Sequence, residues 1–592
     1  MFKTLRWLMP LVVISLLVIA LVSTQAQEDI ELGVDLEDHA ETLDFLVDDI
    51  AIYQHLDVDL IAAIGNSGDP LYIAPLLDIG YFVRGGSNST VVLEALQNLT
   101  GEPLALGWRG YFEWAGENDI ALPDGYAVFK GKLYGTLLDN NFERFFQPGV
   151  MDTARVNLSE AVWGGVLVDG IPSLVNARQI TPEAAAAEGE DLTGFCRDGD
   201  CSYPAEDELV FGVYINGDAR AYPLRLLNWH EMFNDVIGHT PMLDAPDGEQ
   251  VCNFRAPTEF SAVAVDGDWV QIIGVSAGCP ESGWISADSI EWLDSDLETV
   301  QAELPSVDEA LAEEDGVVGN VEGMPVMLAY CTLCGAGILY DSTIPDLSYV
   351  DADGETVELG DTVLEFGSTG MLMRSNKLMY DRNTDTVWNA ITGEPAFGQL
   401  ATSDVVLDVL PVVVIDWASW LEEHPDTSVL SLDTGFRRNY TNGGAYEDYF
   451  NNPEFIMFPV WQQDTSAQQN KEMIFALTID GQHKAYPLAT ILPEEVVNDT
   501  LADQDVVIIS QATPDRDFFE PGGAAVRAYA SDGMTFSAGE DGTIVDGDGT
   551  IWEITEDALI SEDGDTLERL GGHLAFWFGW YSFNPDTLVY EG

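Results

Sequence analysis

The sequence predicts a multi-domain protein. An α-helical N-terminal domain precedes a duplicated, β-rich α+β main domain that carries a small β-barrel insertion. Three observations lead there. At 592 residues the chain exceeds what one hydrophobic core organises, roughly 250–300 residues. Near residue 150 its texture changes from apolar spacings of three and four to Gly- and Val-rich runs broken by turns. The chain also repeats itself at a constant offset of 264: Gly217 recurs as Gly481, Ala221-Tyr222-Pro223-Leu224 as Ala485-Tyr486-Pro487-Leu488, and Asn234-Asp235 as Asn498-Asp499.

The first residues set the compartment. Lys3 and Arg6 precede an apolar run, Trp7 to Val22, and the small-residue stretch Ser23-Thr24-Gln25-Ala26. This is the pattern of a secretory signal peptide over 1–26, and the run is short for a hydrocarbon core of ~30 Å. No later stretch is long and apolar enough to span a membrane. The mature protein is expected outside the cytoplasm: extracellular, cell-surface or periplasmic. The 102 acidic against 23 basic residues give a net charge of −79, spread along the whole chain. That reads as solvated acidic surface and excludes nucleic acid as a partner, since phosphate contacts need Lys and Arg. Six cysteines fall into three close pairs, and an even count in an exported chain favours disulfides. Cys196–Cys201 closes a polar loop around Gly199 and reads as a staple.

Residues 28–150 form the helical domain. Leu43, Phe45, Leu46, Ile50, Ile52, Tyr53 and Leu56 have helical spacing. A new helix opens at Asp57-Val58-Asp59 and covers Leu60 to Ile64; Asp69-Pro70 opens another over Leu71 to Phe82. The stretch AAIGNSGDPLYIAPLLDIG resembles a HEAT-like helical repeat, Ser89 to Leu99 less so, and a plain helical bundle fits the same spacing. On either reading the domain offers a packing or docking surface for another protein.

The main domain follows, its first half at 151–239 and 323–450 and its second, degenerate half at 451–592. Leu209 to Ile215 reads as a strand, Asn216-Gly217 as a hairpin turn, Ala219 to Leu224 as the return strand, and Leu226 to Val236 as helical around His230. The half ends also agree, His424-Pro425-Asp426-Thr427 with Asn584-Pro585-Asp586-Thr587. Asp235 lies 91 residues before Val326, whereas Asp499 lies seven before Val506, an excess of 84 residues that marks an insert at 240–322. The insert's Asp266-Gly267-Asp268 turn and Gly283-Trp284-Ile285 resemble a bacterial SH3-like barrel, stapled by Cys252–Cys279 as so small a domain often requires. An acidic helix, Leu297 to Glu314, leads back. The barrel is a second surface suited to protein contacts.

Features shared by both halves read as fold determinants, and features of one half as candidate chemistry. His230 falls opposite Glu494, while Cys331 and Cys334 fall opposite Gln511 and Pro514. The candidate catalytic residues are therefore Cys331, Cys334, His230 and Glu231, with Asn234 and Asp235 beside them. Cys331-x-x-Cys334 has three readings: a redox dithiol with a thiolate nucleophile, a zinc or copper site completed by His230, or a structural disulfide. His230-Glu231 is not HExxH, because Asn234 stands at the second ligand position. His573, within GGHLAFWFGW, is a further candidate, although its aromatic neighbours look like core. Arg374, Lys377 and Arg382 read either as an anion clamp or as local partners of the many acids. Gly367 to Gly370 reads as a turn, and Ser368 lacks the nucleophile-elbow pattern of serine hydrolases. The Tyr-rich stretch 435–450 reads as a connector between the halves.

Five ordered blocks, VWGGVLVDGIPSL, VFGVYINGDARAYPLRLLNWHEMFND, PVMLAYCTLCGAGILYD, LEFGSTGMLMRSNKLMYDRNTDTVWNAITGEPAFG and GGHLAFWFGWYSFNPDTLVY, resemble the domain-of-unknown-function family numbered 3179 over about 150–592, apart from the insert. Some members of that family are described as selenoproteins, with selenocysteine inside the Cys-x-x-Cys block. That resemblance implies a redox-reactive Cys331 or Cys334. Thr332 stands where members often have Pro, and the insert is a departure from the family pattern.

Overall fold

The computed structural model describes residues 34–592 except 54–55, 85, 87, 193–200, 274–278, 281, 293–299, 301–303, 307–316, 352–353, 442–444, 465–467, 514–522 and 541. The expected signal peptide, Cys196 and most of the expected acidic helix lie outside these residues. The chain forms two compact units, one up to Leu137 and one from Leu138. No helix among the described residues is long and apolar enough to cross a membrane.

The first unit is helical, with helices at His39–Tyr53, Val58–Ser67, Ile73–Val83, Ser89–Thr100, Gly107–Glu117 and Tyr126–Leu137. Local chemistry starts them. The Asp57 carboxylate accepts from the amides of Asp59 and Leu60, and Asp69 accepts from Leu71 N at a 3-10 turn with Pro70 in its first position. Gly65 brings two helices into backbone contact, since a Cβ there would lie 2.5 Å from Ala95 Cα. Inside, Lys130 Nζ lies 2.9 Å from Asp78, which also accepts from Tyr126 OH at 2.5 Å.

The second unit is β-rich. Leu209–Ile215 and Asp218–Pro223 form a hairpin in which every residue from Val210 to Ile215 faces a partner. Asn216 and Gly217 both have positive φ, 50° and 79°, as a two-residue turn matched to strand twist requires. Val413–Asp416 flanks the hairpin antiparallel on one side and Ser428–Leu430 parallel on the other. A helix, Leu224–His230, follows the hairpin. The helical pattern expected as far as Val236 ends there: Glu231 turns left-handed, φ 30°, and the chain enters the strand Met232–Ile237. Tertiary partners override the spacing. Asn234 holds the backbone of Phe366 through both groups of its amide, at 3.0 and 2.8 Å, and Asp235 accepts from Tyr222 OH at 2.6 Å. Met232–Ile237, Met324–Cys331 and Ala336–Asp341 then form an antiparallel meander. The expected turn at Gly367 to Gly370 instead lies within the strand Phe366–Met373, where the pairing shifts register between Ser368 and Leu372. Glycine marks a bulge here rather than a strand end.

The same pairings recur later in the chain. Met473–Ile479 and Gln482–Pro487 form a hairpin flanked antiparallel by Gly572–Phe576 and parallel by Leu588–Val589. Val496–Leu501, Gln504–Ala512 and Ala524–Ala530 form the second meander. Between the first two strands of the earlier meander, seven strands running from His239–Leu243 to Val317–Val321 make a nearly closed barrel. Its core includes Met242, Phe260, Ile272, Ile285 and Val321, and a Cys252–Cys279 disulfide staples it.

Candidate functional site

The strand Met324–Cys331 ends in a single 3-10 turn, Thr332–Cys334, closed by Gly335 at φ 59°. That geometry brings the Cα atoms of Cys331 and Cys334 to 5.5 Å, and the two cysteines form a disulfide. Cys331 is 4% exposed and Cys334 0%. The turn is packed from the second half of the chain: a Cβ on Gly579 would lie 2.7 Å from Cys334 Cβ and 3.1 Å from Asn376 Oδ1. That Asn376 oxygen is buried and has no hydrogen-bond partner.

The stretch ending in His230-Glu231 reaches this turn, but not through the imidazole. Glu231 O accepts from Tyr330 N at 2.6 Å, and Asn228 Oδ1 accepts from Thr332 Oγ1 at 3.5 Å. The Glu231 carboxylate pairs with Lys377, whose side chain is 4% exposed. Burial pulls the Lys377 ammonium below the ordinary lysine range, against the opposing pull of Glu231. His230 Nδ1 donates to Pro172 O at 3.0 Å, and Nε2 lies 2.5 Å from Tyr440 OH. Burial lowers its pKa to about 4, so the ring is neutral at pH 7.

The connector is what His230 and the cysteine turn have in common. Tyr440 bonds His230, and nine residues on Tyr449 OH donates to Leu333 O at 2.5 Å. Lys471 Nζ sits 3.3 Å over the Tyr449 ring and donates to Tyr449 O and Asn452 O; burial lowers its pKa to about 8. Tyr440, Tyr449, Lys471, Asn376 and Gly579 were not singled out from the sequence. The only signal was the tyrosine-rich composition of the connector.

The other candidates fall elsewhere. Asn234 and Asp235 hold the fold, as above. Arg374 pairs with Glu160 at 3.1 Å and lies over Trp461 and Phe583. Arg382 pairs with Asp169 and Glu365, both at 3.0 Å. With Lys377 on Glu231, each of the three cations has its own carboxylate. His573 lines a cleft of about 610 Å³ together with His483, Trp580 and Asn584. Its Nδ1 donates to Leu574 O at 3.1 Å, and burial lowers its pKa to about 4. Cys201 is disulfide-bonded; its expected partner Cys196 lies outside the described residues.

A second constellation was not foreseen. One ligand atom from each of Glu423, His424 and Glu556 lies within 4.8 Å of the others, and two carboxylates with an imidazole are a donor set that can coordinate a metal ion. Arg527 already stands against both carboxylates, 2.7 Å from Glu423 and 2.5 Å from Glu556. A metal ion would have to displace that guanidinium. At the cysteine turn, neither sulfur is a thiolate ligand in the disulfide state.

No curated protein and no solved structure matches the chain. The family described as "Protein of unknown function (DUF3179)" matches residues 168–243 and 311–587, and the unmatched stretch between them falls within the insert. With more than half of its residues matched in the expected order, the chain belongs to the DUF3179 family.

Proposed function

We propose that the protein is an exported thiol–disulfide redox protein acting at Cys331 and Cys334. The observation that carries this reading is a Cys-x-x-Cys disulfide on a tight turn, adjoining the buried Lys377–Glu231 pair and an unpartnered buried acceptor, Asn376 Oδ1. A thiolate of a partner dithiol attacks Cys331, the less buried of the two residues. The S–S bond breaks, and Cys334 leaves as a thiolate and takes up a proton to become a thiol, whose S–H can serve the unpartnered Asn376 Oδ1 as a hydrogen-bond donor. The partner's second thiolate attacks the mixed disulfide and releases Cys331, which is protonated in turn. The partner is oxidised to a disulfide, and its two hydrogens end on Cys331 and Cys334. Lifting the connector at Tyr449 admits the attacking thiolate. His230 acts in this scheme as a positioning residue, through Tyr440.

The test is a thiol titration of the folded protein across dithiothreitol redox buffers, with alkylation and mass analysis of the 331–334 peptide. The expected potential lies above about −300 mV, the range below which structural disulfides fall. A pair that stays oxidised until the protein unfolds would sink the reading and leave a structural staple.

A second reading, an extracytoplasmic metal module, is favoured by the Glu423–His424–Glu556 cluster. Zinc or copper retained by purified protein and lost in Glu556→Gln would support it. The Cys252–Cys279 bridge is consistent with an oxidising compartment. The recurrent pairings support descent of the β-rich unit from a duplication, and the barrel and helical unit carry forward the SH3-like and HEAT-like readings as surfaces for protein partners.

A further inference from the structure

A pocket of about 250 Å³ lies where the inserted barrel meets the earlier hairpin, and three arginines line it: Arg178, Arg220 and Arg255. In a chain with 23 basic and 102 acidic residues, an arginine ordinarily finds a carboxylate of its own. Here Arg220 and Arg255 share one, Asp218, at 2.7 and 2.9 Å. The exposed Arg178 guanidinium has no carboxylate partner among the described residues. Asp235, whose charge acts on Arg220, is held by Tyr222 OH, and burial raises its carboxyl pKa; Asp433 lines a neighbouring pocket with Arg178 but makes no ion pair with it among the described residues. Asp426 takes part only through its main-chain oxygen, which accepts from Arg255. Around the pocket three guanidinium charges therefore face one carboxylate in direct contact.

The polar lining fits the same reading. Arg220 spends Nε and Nη2 on Asp218 and Ala256 O, and Arg255 spends Nε and Nη2 on Asp218 and Asp426 O. Each keeps its Nη1 out of any hydrogen bond among the described residues. Gln179, also in the lining, has both amide atoms buried without a partner. Planar forks and amides grouped in this way match the oxygens of phosphate, sulfate or carboxylate.

We propose that this pocket binds a small, multiply charged oxyanion and that the anion ties the barrel to the hairpin. Arg255 and Asn253 come from the barrel, Arg178 and Arg220 from the body of the unit, so a bound anion bridges the two. Binding then stabilises the folded protein by mass action.

The test is calorimetric titration of the full chain with inorganic phosphate, sulfate and succinate, with ionic strength held at ~0.15 M by sodium chloride. Saturable one-to-one binding is expected for at least one of them, accompanied by a higher melting temperature. Tighter phosphate or sulfate assigns a tetrahedral oxyanion, and tighter succinate a carboxylate. Arg178→Gln and Arg255→Gln are each expected to weaken binding at least tenfold, and Arg109→Gln, in the helical unit, to leave it unchanged. Should Arg255→Gln fail to fold, Arg178→Gln decides alone, because the Arg178 side chain makes no hydrogen bond or ion pair among the described residues. Absence of saturable binding by the unmodified chain, or Arg178→Gln binding within twofold of it, overturns the proposal. Neither result bears on the redox potential of Cys331–Cys334.

Discussion

The two hairpin-and-meander arrangements of the β-rich unit share their supports and differ in their chemistry. In the first, Tyr222 OH donates to Asp235; in the second, Tyr486 OH donates to Asp499. Asn234 clamps the backbone of Phe366, and Asn498 clamps that of Phe536. Trp420 Nε1 donates to Thr427, and Trp580 Nε1 donates to Thr587, both at 2.9 Å. Glu231 O takes Tyr330 N, and Glu495 O takes Ser510 N. These bonds satisfy buried polar groups that the fold itself creates, so they occur wherever the fold does. The differences lie between them. The first meander turns through residues 332–335 with a disulfide, whereas in the second the strand ending at Ala512 is followed by one that begins only at Ala524. His230 has Glu494 opposite it, and Lys377 is buried on Glu231. The lesson is that side chains repeated in both places hold the backbone, and those present once are where a reaction can be sought.

The comparison breaks most easily at the ion pairs. Lys377→Met leaves Glu231 uncompensated in a largely buried place and is expected to cost about 3–5 kcal/mol. Lys484→Met removes a somewhat more exposed partner from Asp499, which keeps the Tyr486 hydroxyl, and should cost less, about 1–3 kcal/mol. Denaturant unfolding of both variants decides; equal losses would remove the distinction between the two arrangements.

Acid stability comes next. His573 titrates at about 4 in the folded protein, against ~6.5 in an unfolded chain. Between those values the unfolded chain binds the proton first. The neutral imidazole's contribution is therefore whole above pH ~6.5 and is lost as pH falls towards 4, by roughly 3 kcal/mol in all. His573→Gln should gain on the unmodified protein by about that amount between pH 7 and pH 4, and a pH-independent difference would refute it. His230, also near 4 when folded, should show the same sign in His230→Gln.

Smaller effects sharpen the shared supports. Tyr222→Phe strands a buried Asp235 and should cost ~1–3 kcal/mol, while Tyr486→Phe should cost less because Lys484 still pairs with Asp499. Thr427→Val, at a residue 2% exposed whose hydroxyl accepts from Trp420 Nε1 and donates to Ala219 O, should likewise exceed Thr587→Val, at about 1–2 kcal/mol against ~1 kcal/mol or below. Melting curves of the four variants rank them.

Much of this was legible along the chain. Asn216-Gly217 announced its hairpin because only residues tolerant of positive φ make that turn. The Asp57 and Asp69 caps announced two helix starts. The excess between Asp235 and Val326 marked an insert in the stretch where the nearly closed barrel lies, and the spacing of Cys331 and Cys334 permitted a bond between them without choosing it over a metal site. The end of the helix at His230 was not legible, because its cause is Phe366, 132 residues from Asn234. Of the two readings of Arg374, Lys377 and Arg382, an anion clamp or partners for the many acids, the ion pairs fit the second, and their partners were not legible because Glu160, Glu231 and Asp169 are distant in sequence and adjacent in space.

The sequence by itself determined local geometry, the order of the elements, the charge of the surface and the membership in a family, since each depends on neighbouring residues or on pattern. Only the tertiary structure decided what each polar side chain touches. It turned His230 to Tyr440 rather than to a thiol, covered the cysteine turn with Gly579 and Tyr449, set Arg527 between Glu423 and Glu556, and gathered three arginines around one pocket. Those outcomes follow from the demand that every buried charge and hydrogen-bonding group find a partner, and the partner it finds is set by the packing of strands far apart in the chain.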